Sequence, residues 1–284
     1  MTASYPVGVR LQEADGEGEN RRWTVHLDDG AAVEAVLYRG DSLCVSSQVG
    51  CAVGCPFCAS GANGLTRPLT LEEMVGQVDA VRALGHAVTR VTVSGVGEPL
   101  HTRATLPFLE HCRQQRIKPS LTTSGGPLER LREAIHAPHN GLTVSVHAGT
   151  EPARSRAVPR GPALGPLFEV LEEELPKLSR SRLRKIALAY LILDRVNDGD
   201  DELDAFARRA RPLGVWTHLY AYNPVPTSAH RGVSRERYER AYERLGAAGL
   251  RVRMSCKARV EPNGGCGTLI ASARLVDRDR SRVQ

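Results

Sequence analysis

From residue 71 onward the apolar positions follow two alternating periods. Leu71, Met74, Val75, Val78, Val81 and Leu84 recur three and four residues apart, the spacing that gives a helix one apolar stripe. Thr70 stands just before this run and Glu73 three residues after Thr70, which is a capping box; Gly85 is placed to end the helix. Beyond it, short runs of β-branched and apolar residues alternate with amphipathic stretches. This pattern predicts strands at 88–94, 118–123, 141–147, 184–192, 215–221 and 250–254, and helices near 102–115, 127–136, 164–179, 200–211 and 234–247. Unbroken apolar runs suit parallel strands buried on both faces. Strand–helix alternation implies one sheet with right-handed crossovers. With the strand-like run at 42–46 there are about six strand–helix units, so the fold class is α/β, an open, partial (β/α)6 barrel.

Before the barrel the pattern changes. Two β-rich runs, at 22–27 and 32–38, flank Asp28-Asp29-Gly30, which predicts a short N-terminal β-hairpin extension. The expected organisation is a disordered lead over 1–20, the hairpin over 21–41, the barrel with a C-terminal cysteine loop over 42–272, and a charged tail over 273–284. There is no fixed-period repeat, low-complexity tract or interior linker.

Composition narrows the function classes. No segment approaches the roughly 18 apolar residues of a membrane span, and residues 1–20 carry no apolar core of a secretory signal. Seven cysteines without such a signal imply a reducing cytoplasm and metal or redox chemistry. A net charge of +6 permits a polyanionic partner without proving one. Aromatic residues are only 5% of the chain, so no stacking platform for single-stranded nucleic acid is evident.

The chemistry concentrates in Cys51-Ala-Val-Gly-Cys55-Pro-Phe-Cys58, spaced C-x3-C-x2-C. Three thiols this close cannot all pair as disulfides. Thiolates suit zinc or an iron–sulfur cluster, and Gly54 and Pro56 suit a tight loop around a metal. A structural knuckle wants a fourth ligand. Three local cysteines with no evident fourth instead suggest a cluster with one open iron. Polar groups also gather after the predicted strands, where α/β barrels build their sites. They are Gly97 and Glu98 after the second strand, Thr122 after the third, Ser145-Val146-His147 after the fourth and Asn223 after the sixth. Taken singly each has a bland reading: a glycine turn, a solvated glutamate, a structural histidine. Four such elements at four strand ends are much less readily accidental.

The cysteine spacing, Leu43-Cys44-Val45-Ser46-Ser47-Gln48-Val49-Gly50-Cys51, Gly97-Glu98-Pro99 and Cys266-Gly267 together resemble the radical S-adenosylmethionine (SAM) adenine methyltransferases of RNA, the RlmN/Cfr type. The resemblance runs from about residue 23 to about residue 271. It implies a partial (β/α)6 radical-SAM barrel and a [4Fe–4S] cluster on Cys51, Cys55 and Cys58. It also implies a SAM pocket that includes Gly97, Glu98, Thr122, Ser145, Val146, His147 and Asn223. In the family the counterpart of Cys266 is methylated by one SAM. A second SAM, cleaved reductively on the open iron, gives a 5′-deoxyadenosyl radical that activates the S-methyl group for addition to an adenine sp2 carbon. The counterpart of Cys44 resolves the adduct through a transient disulfide, and that of Glu34 is implicated in proton transfer. By resemblance the partners are RNA (rRNA or tRNA) and a reducing partner of the flavodoxin or ferredoxin kind, with no membrane. Cys112, placed mid-helix, and Cys256, with no family counterpart, read as small buried residues.

The sequence departs from that family in three places. The helical RNA-gripping domain that precedes the hairpin in the family has no counterpart in residues 1–20. Thr122 stands where the family has Ser. The loop before Cys266, Glu261-Pro262-Asn263-Gly264-Gly265, differs from the family's. These differences keep two alternatives open: the same chemistry on a small heteroaromatic metabolite or peptide, and a non-catalytic metal-binding nucleic-acid protein.

Overall fold

The computed structural model describes residues 9–13, 20–255 and 267–271. The chain opens with β1 (Arg10–Glu13), β2 (Arg21–His26), β3 (Ala32–Tyr38) and β4 (Ser42–Val45). A small hairpin of β5 (Gln48–Gly50) and β6 (Leu65–Pro68) follows, holding the three-cysteine loop between its strands. Then come α1 (Leu71–Ala83), β7 (Arg90–Val93), α2 (Thr105–Gln114), β8 (Lys118–Thr123), α3 (Leu128–His136) and β9 (Gly141–Ser145). Two helices, α4 (Glu151–Ala157) and α5 (Leu164–Glu174), and a short α6 (Arg180–Leu183) lead to β10 (Ile186–Leu191). The chain continues through α7 (Asp200–Ala210), β11 (Trp216–Tyr220), α8 (Arg235–Ala247) and β12 (Arg251–Met254).

Ten strands form one sheet in the order β1-β2-β3-β4-β7-β8-β9-β10-β11-β12. The pairings from β1 to β4 are antiparallel and those from β4 to β12 are parallel. Six strand–helix units and a final strand therefore make an open barrel, as the alternation predicts. Along each strand, inward-facing residues of the helix side, such as Val91 and Val93, Leu121, Leu142 and Val144, and Leu219, are fully buried in one continuous core. The opposite, concave face carries the alternate residues and is partly open.

The local signals behave as expected. Thr70 caps α1 through Glu73 N, and Glu73 accepts in return from Thr70 N at 2.8 Å. Gly30 turns the hairpin at φ +82°. The lead expected over 1–20 is corrected at four residues. Arg10–Glu13 pair antiparallel with β2, Leu11 opposite Val25. This strand is mostly polar, so nothing but its pairing partner specifies it.

Candidate active site

The cysteine loop hangs from a narrow neck. Cys51 N donates to Gly64 O at 2.9 Å, and Gly50, at φ +83°, has no room for a side chain because a Cβ there would lie 1.8 Å from that same carbonyl. Arg160 clamps the loop from outside, donating to Ala52 O at 2.7 Å. Val53 and Phe57 pack with Val158, Leu193 and Tyr222 in a second, smaller apolar cluster that anchors the loop, while Pro56 stays exposed. Cys51, Cys55 and Cys58 all line one cleft at the C-terminal ends of the barrel strands.

Opposite the thiols lies Glu98. It is buried at 4% exposure; one carboxylate oxygen accepts from Leu100 N at 3.1 Å and from the Thr123 hydroxyl, the other from Ser124 N at 2.7 Å. Its backbone amide donates to Gln48 Oε1 at 2.8 Å. Gly97 precedes it at φ +111°, and a Cβ there would stand 2.6 Å from Gln48 Cβ. The glycine and the glutamate thus bring the backbone against β5 and fix the carboxylate at the cleft wall. Thr122, Ser145, His147 and Asn223 line the same cleft. Val146 does not: its side chain lies in the main core, while its neighbours on either side face the cleft.

His147 sits at φ +56° with its Nδ1 accepting from Leu191 N at 2.9 Å, which fixes the proton of the neutral ring on Nε2. Burial, and then the Arg154 cation, push its pKa down to about 3, so the ring is neutral at physiological pH. Arg154 is itself 1% exposed and donates to the carbonyls of Ser124, Ser145, Val146 and Pro162. It ties the ends of β8 and β9 to α4 and places a cation beneath the cleft. Nothing local in Glu151-Pro152-Ala153-Arg154-Ser155-Arg156 marks it out; only the barrel geometry does.

The C-terminal segment completes the site. Cys266 lies outside the described residues, but Gly267 lines the cleft, and a Cβ on it would lie 3.7 Å from the Cys58 sulfur. Among the described residues, five hydrogen bonds fasten residues 267–271. Three join the cysteine loop: Ala59 N to Gly267 O at 2.7 Å, Ser60 Oγ to Leu269 O at 2.8 Å and Asn63 Nδ2 to Ala271 O at 2.9 Å. Two join the hairpin: Arg22 to Thr268 O at 3.2 Å, and Ile270 N to Glu34 Oε2 at 2.6 Å.

Glu34 is therefore engaged elsewhere than in the cleft lining. It forms a bidentate pair with Arg22 and holds Ile270. Cys44, on the concave side of β4, is 5% exposed, with its sulfur 3.2 Å from Ser94 Oγ, and Ser94 lines the cleft. Cys112 is fully buried in α2, its thiol pushed up to about 12 by burial, as an inert core residue should be. Cys256 lies outside the described residues.

The donor set fits a cluster. Burial pushes the Cys51 thiol up to about 11 and the Cys55 thiol well up, so thiolates at these positions require a cationic metal centre beside them. Three thiols lining one cleft, with a fixed carboxylate and strand-end hydroxyls in the same wall, are the arrangement of a radical SAM enzyme. In agreement, residues 45–207 match the Radical SAM superfamily.

Within that superfamily the chain belongs to the RlmN-like RNA methyltransferases. It is 35% identical over 280 residues to a probable RNA methyltransferase of Methylibium petroleiphilum, covering 92% of this chain and 75% of that protein. It is 31% identical over 291 residues to the dual-specificity RNA methyltransferase RlmN of Alkalilimnicola ehrlichii, covering 96% and 78%. A crystal structure of a radical SAM methyltransferase from Sphaerobacter thermophilus superposes with a TM-score of 0.81 at 31% identity, covering 93% of this chain and 81% of that one. SuiB of Streptococcus suis, solved with S-adenosylmethionine, shares the fold at a TM-score of 0.60 and 11% identity, over 78% and 52%. The chain is an enzyme of the methyltransferase type, and its cofactors are the [4Fe–4S] cluster and SAM of its family. No helix among the described residues is long and apolar enough to cross a membrane.

Proposed function

We propose that this enzyme transfers a methyl-derived carbon, through S-methylated Cys266, to the C2 or C8 carbon of an adenine in RNA, and that it does so in the cytoplasm with a small reducing protein as electron donor. The observation that carries the reading is the seating of Gly267, covalently next to Cys266, against Cys58 at the cleft wall. The printed names of the relatives, RNA methyltransferases, support RNA as substrate.

Cys51, Cys55 and Cys58 would hold the cluster, with SAM against Glu98, Thr122, Ser145 and Asn223. When bound, these cofactors supply the methyl group and the radical that activates it. The chain's own residues do the rest. Glu98 accepts hydrogen bonds from the SAM ammonium while its remaining lone pairs stay on Leu100, Thr123 and Ser124, so the carboxylate does not reorganise. Neutral His147 donates from Nε2 and carries no charge to repel the sulfonium. Val53 and Phe57 exclude water, which protects a reactive carbon centre. Cys266 would carry the methyl-derived carbon to the substrate; the Cys44 thiolate would then attack the Cys266 sulfur, forming an S–S bond as the S–carbon bond breaks, while the carbon leaves with the electron pair and takes up a proton to become the product's methyl group, and the reducing protein returns the disulfide to two thiols. Glu34 and Arg22 hold the strap that bears Cys266, a positioning role in place of the expected proton transfer.

The test is incubation of the reconstituted enzyme with methyl-labelled SAM, a chemical reductant and total RNA. Label is expected in RNA, with mass spectrometry showing one added methyl on Cys266. Cys44→Ala is expected to accumulate a covalent, nuclease-sensitive protein–RNA adduct. Label in a small molecule or peptide, with RNA untouched, would overturn the RNA assignment.

A further inference from the structure

The barrel's concave face has an electrostatic character that the cofactor site does not use. On β11 the alternate residues Trp216, His218 and Tyr220 face this side, and their register partners on β12 are Arg251 opposite Trp216 and Arg253 opposite His218. The Arg253 guanidinium lies 4.0 Å from the centroid of the Trp216 ring and that of Arg251 lies 5.5 Å from it. Tyr220 and Ser255, the last residues of the same two rows, line the SAM cleft, so the row runs without interruption to the reaction site. Next to it the floor is low. On β10 the facing residues are Ala187 and Ala189, and on β9 they are Thr143 and Ser145. Ala187 and Ala189 are themselves buried, at 6% and 1% exposure, so the trough is the exposed step along the β11–β12 row, where Arg251 and Arg253 are exposed and Trp216 and His218 half-buried.

The charge of this trough is of one sign. Along β7 to β12 no Asp or Glu stands on the concave face. At its far end, away from the cysteines, Arg90 and Lys118 are paired in register and exposed; Arg251 and Arg253, two apart on β12, are exposed as well. Among the described residues none of these four forms a salt bridge. They are cations without carboxylates, set beside an indole, on a path that ends at the cofactor cleft.

We infer that this trough is the docking path of a single-stranded RNA segment, with its phosphates on Arg251, Arg253, Arg90 and Lys118 and an unpaired base stacked on the Trp216–Arg253 pair. The inference rests on the RNA reading above and adds the surface that carries it. Arginine planes and indole faces are the groups on which unstacked bases settle, and neither demands a particular base. The row thus supplies affinity and alignment, leaving discrimination to the cleft. An acidic peptide without aromatic side chains would match the charge but would lack the extended ring that stacks on the outer face of the Arg253 guanidinium, whose inner face lies on Trp216.

The experiment measures binding of a fluorescein-labelled oligo(A) twelve-mer to the reconstituted enzyme by anisotropy, across a salt series, with ribosomal RNA and poly-glutamate as competitors. Iron content and thermal midpoint control for folding of each variant. Trp216→Ala is expected to weaken binding about 10-fold, the scale of one lost base–aromatic stack. Arg251→Ala/Arg253→Ala is expected to lower the log–log salt slope by about 1 to 1.5, the share of two phosphates on a single strand. Ribosomal RNA should compete and poly-glutamate should not. Wild-type affinity and salt slope in both variants, with the wild type binding RNA well, would overturn this inference alone. Equal competition by poly-glutamate would assign the trough to an acidic peptide. A wild type that binds neither the oligonucleotide nor ribosomal RNA would overturn the RNA reading itself, and this surface with it.

Discussion

Glu34 and Ile270 stand 236 residues apart, and the carboxylate of the first accepts the backbone amide of the second at 2.6 Å. The hydrogen bond is charge-assisted and solvent-exposed, with Arg22 completing the carboxylate's shell and reaching on to Thr268. The strand of the hairpin extension thereby grips the segment that follows Cys266. Glu34→Ala is expected to release that segment. Loss of a hydrogen bond to a charged group costs about 1.5–3 kcal/mol, which is a rise of roughly 10- to 100-fold in amide exchange over residues 268–271. Iron content should be unchanged. Unaltered exchange at Ile270 would mean that the cysteine-loop contacts alone hold the segment.

Iron binding should divide the cysteines sharply. Anaerobic reconstitution of the wild type is expected to give about four irons per chain. Alanine at Cys51, Cys55 or Cys58 should abolish the brown colour and SAM cleavage. Cys112→Ala, deep in α2, should keep both and lose only packing. A Cys55→Ala protein with full SAM cleavage would refute the cluster assignment.

Gly97→Ala tests the close approach at the cleft wall. The added Cβ meets Gln48 at 2.6 Å and is held at φ +111°, where an L side chain is strained. The two effects together are expected to cost about 2–4 kcal/mol, read as a lower urea midpoint. SAM affinity should fall as well, because Glu98 moves with its neighbour. Equilibrium dialysis with labelled SAM measures the second effect; unchanged affinity would detach Gly97 from cofactor binding.

Acid sensitivity should come from buried histidines before carboxylates. His139 is 6% exposed, and its pKa is pushed from 6.5 down to about 4, first by burial and also by the cations of Arg182 and Lys185. A folded-state pKa below the unfolded one means that the unfolded chain takes up the proton first. The stability is whole above about pH 6.5 and is lost as pH falls toward 4. For His139 the loss between about pH 7.5 and about pH 5 is roughly 2 kcal/mol. His147 adds a loss of the same sign. Glu174, held down to about 2 by His136, Lys177 and Arg132, gives way only below the ordinary carboxylate range. His139→Leu should flatten the decline in urea midpoint over this window. An identical pH profile in the variant would show that the ring is not the proton acceptor.

Much of the barrel is legible in the residues themselves. The expected strand at 118–123 is β8, and the expected helix at 127–136 is α3 within a residue, because in each the apolar period, the turn residues and the tertiary burial agree. Where they do not agree the pattern is silent. Arg10–Glu13 is a polar strand created by its neighbour, and β5 and β6 are too short to show a period. Arg154 is one of several arginines in its stretch, and only the convergence of β8 and β9 makes its position singular. The Trp216, His218, Tyr220 row is a plain alternation, yet the sequence alone does not say which side of β11 faces helices and which faces the trough. A low aromatic content concealed it, since three rings in one row matter more than their fraction of the chain.

The sheet does not close, and that has a cost of its own. Among the described residues β1 and β12 each present one row of unpaired backbone donors and acceptors, a template on which another copy of the chain could extend the sheet. Both margins carry exposed arginines: Arg10 on one, Arg251 and Arg253 on the other. Two copies meeting at β12 would press its arginines together, whereas β1 carries the exposed Glu13 beside Arg10 and holds no such one-signed guard. The half-open shape that gives a large substrate access thus obliges the protein to defend its flanks against self-association, and at β12 the same side chains that would attract a polyanion repel a second molecule of the enzyme.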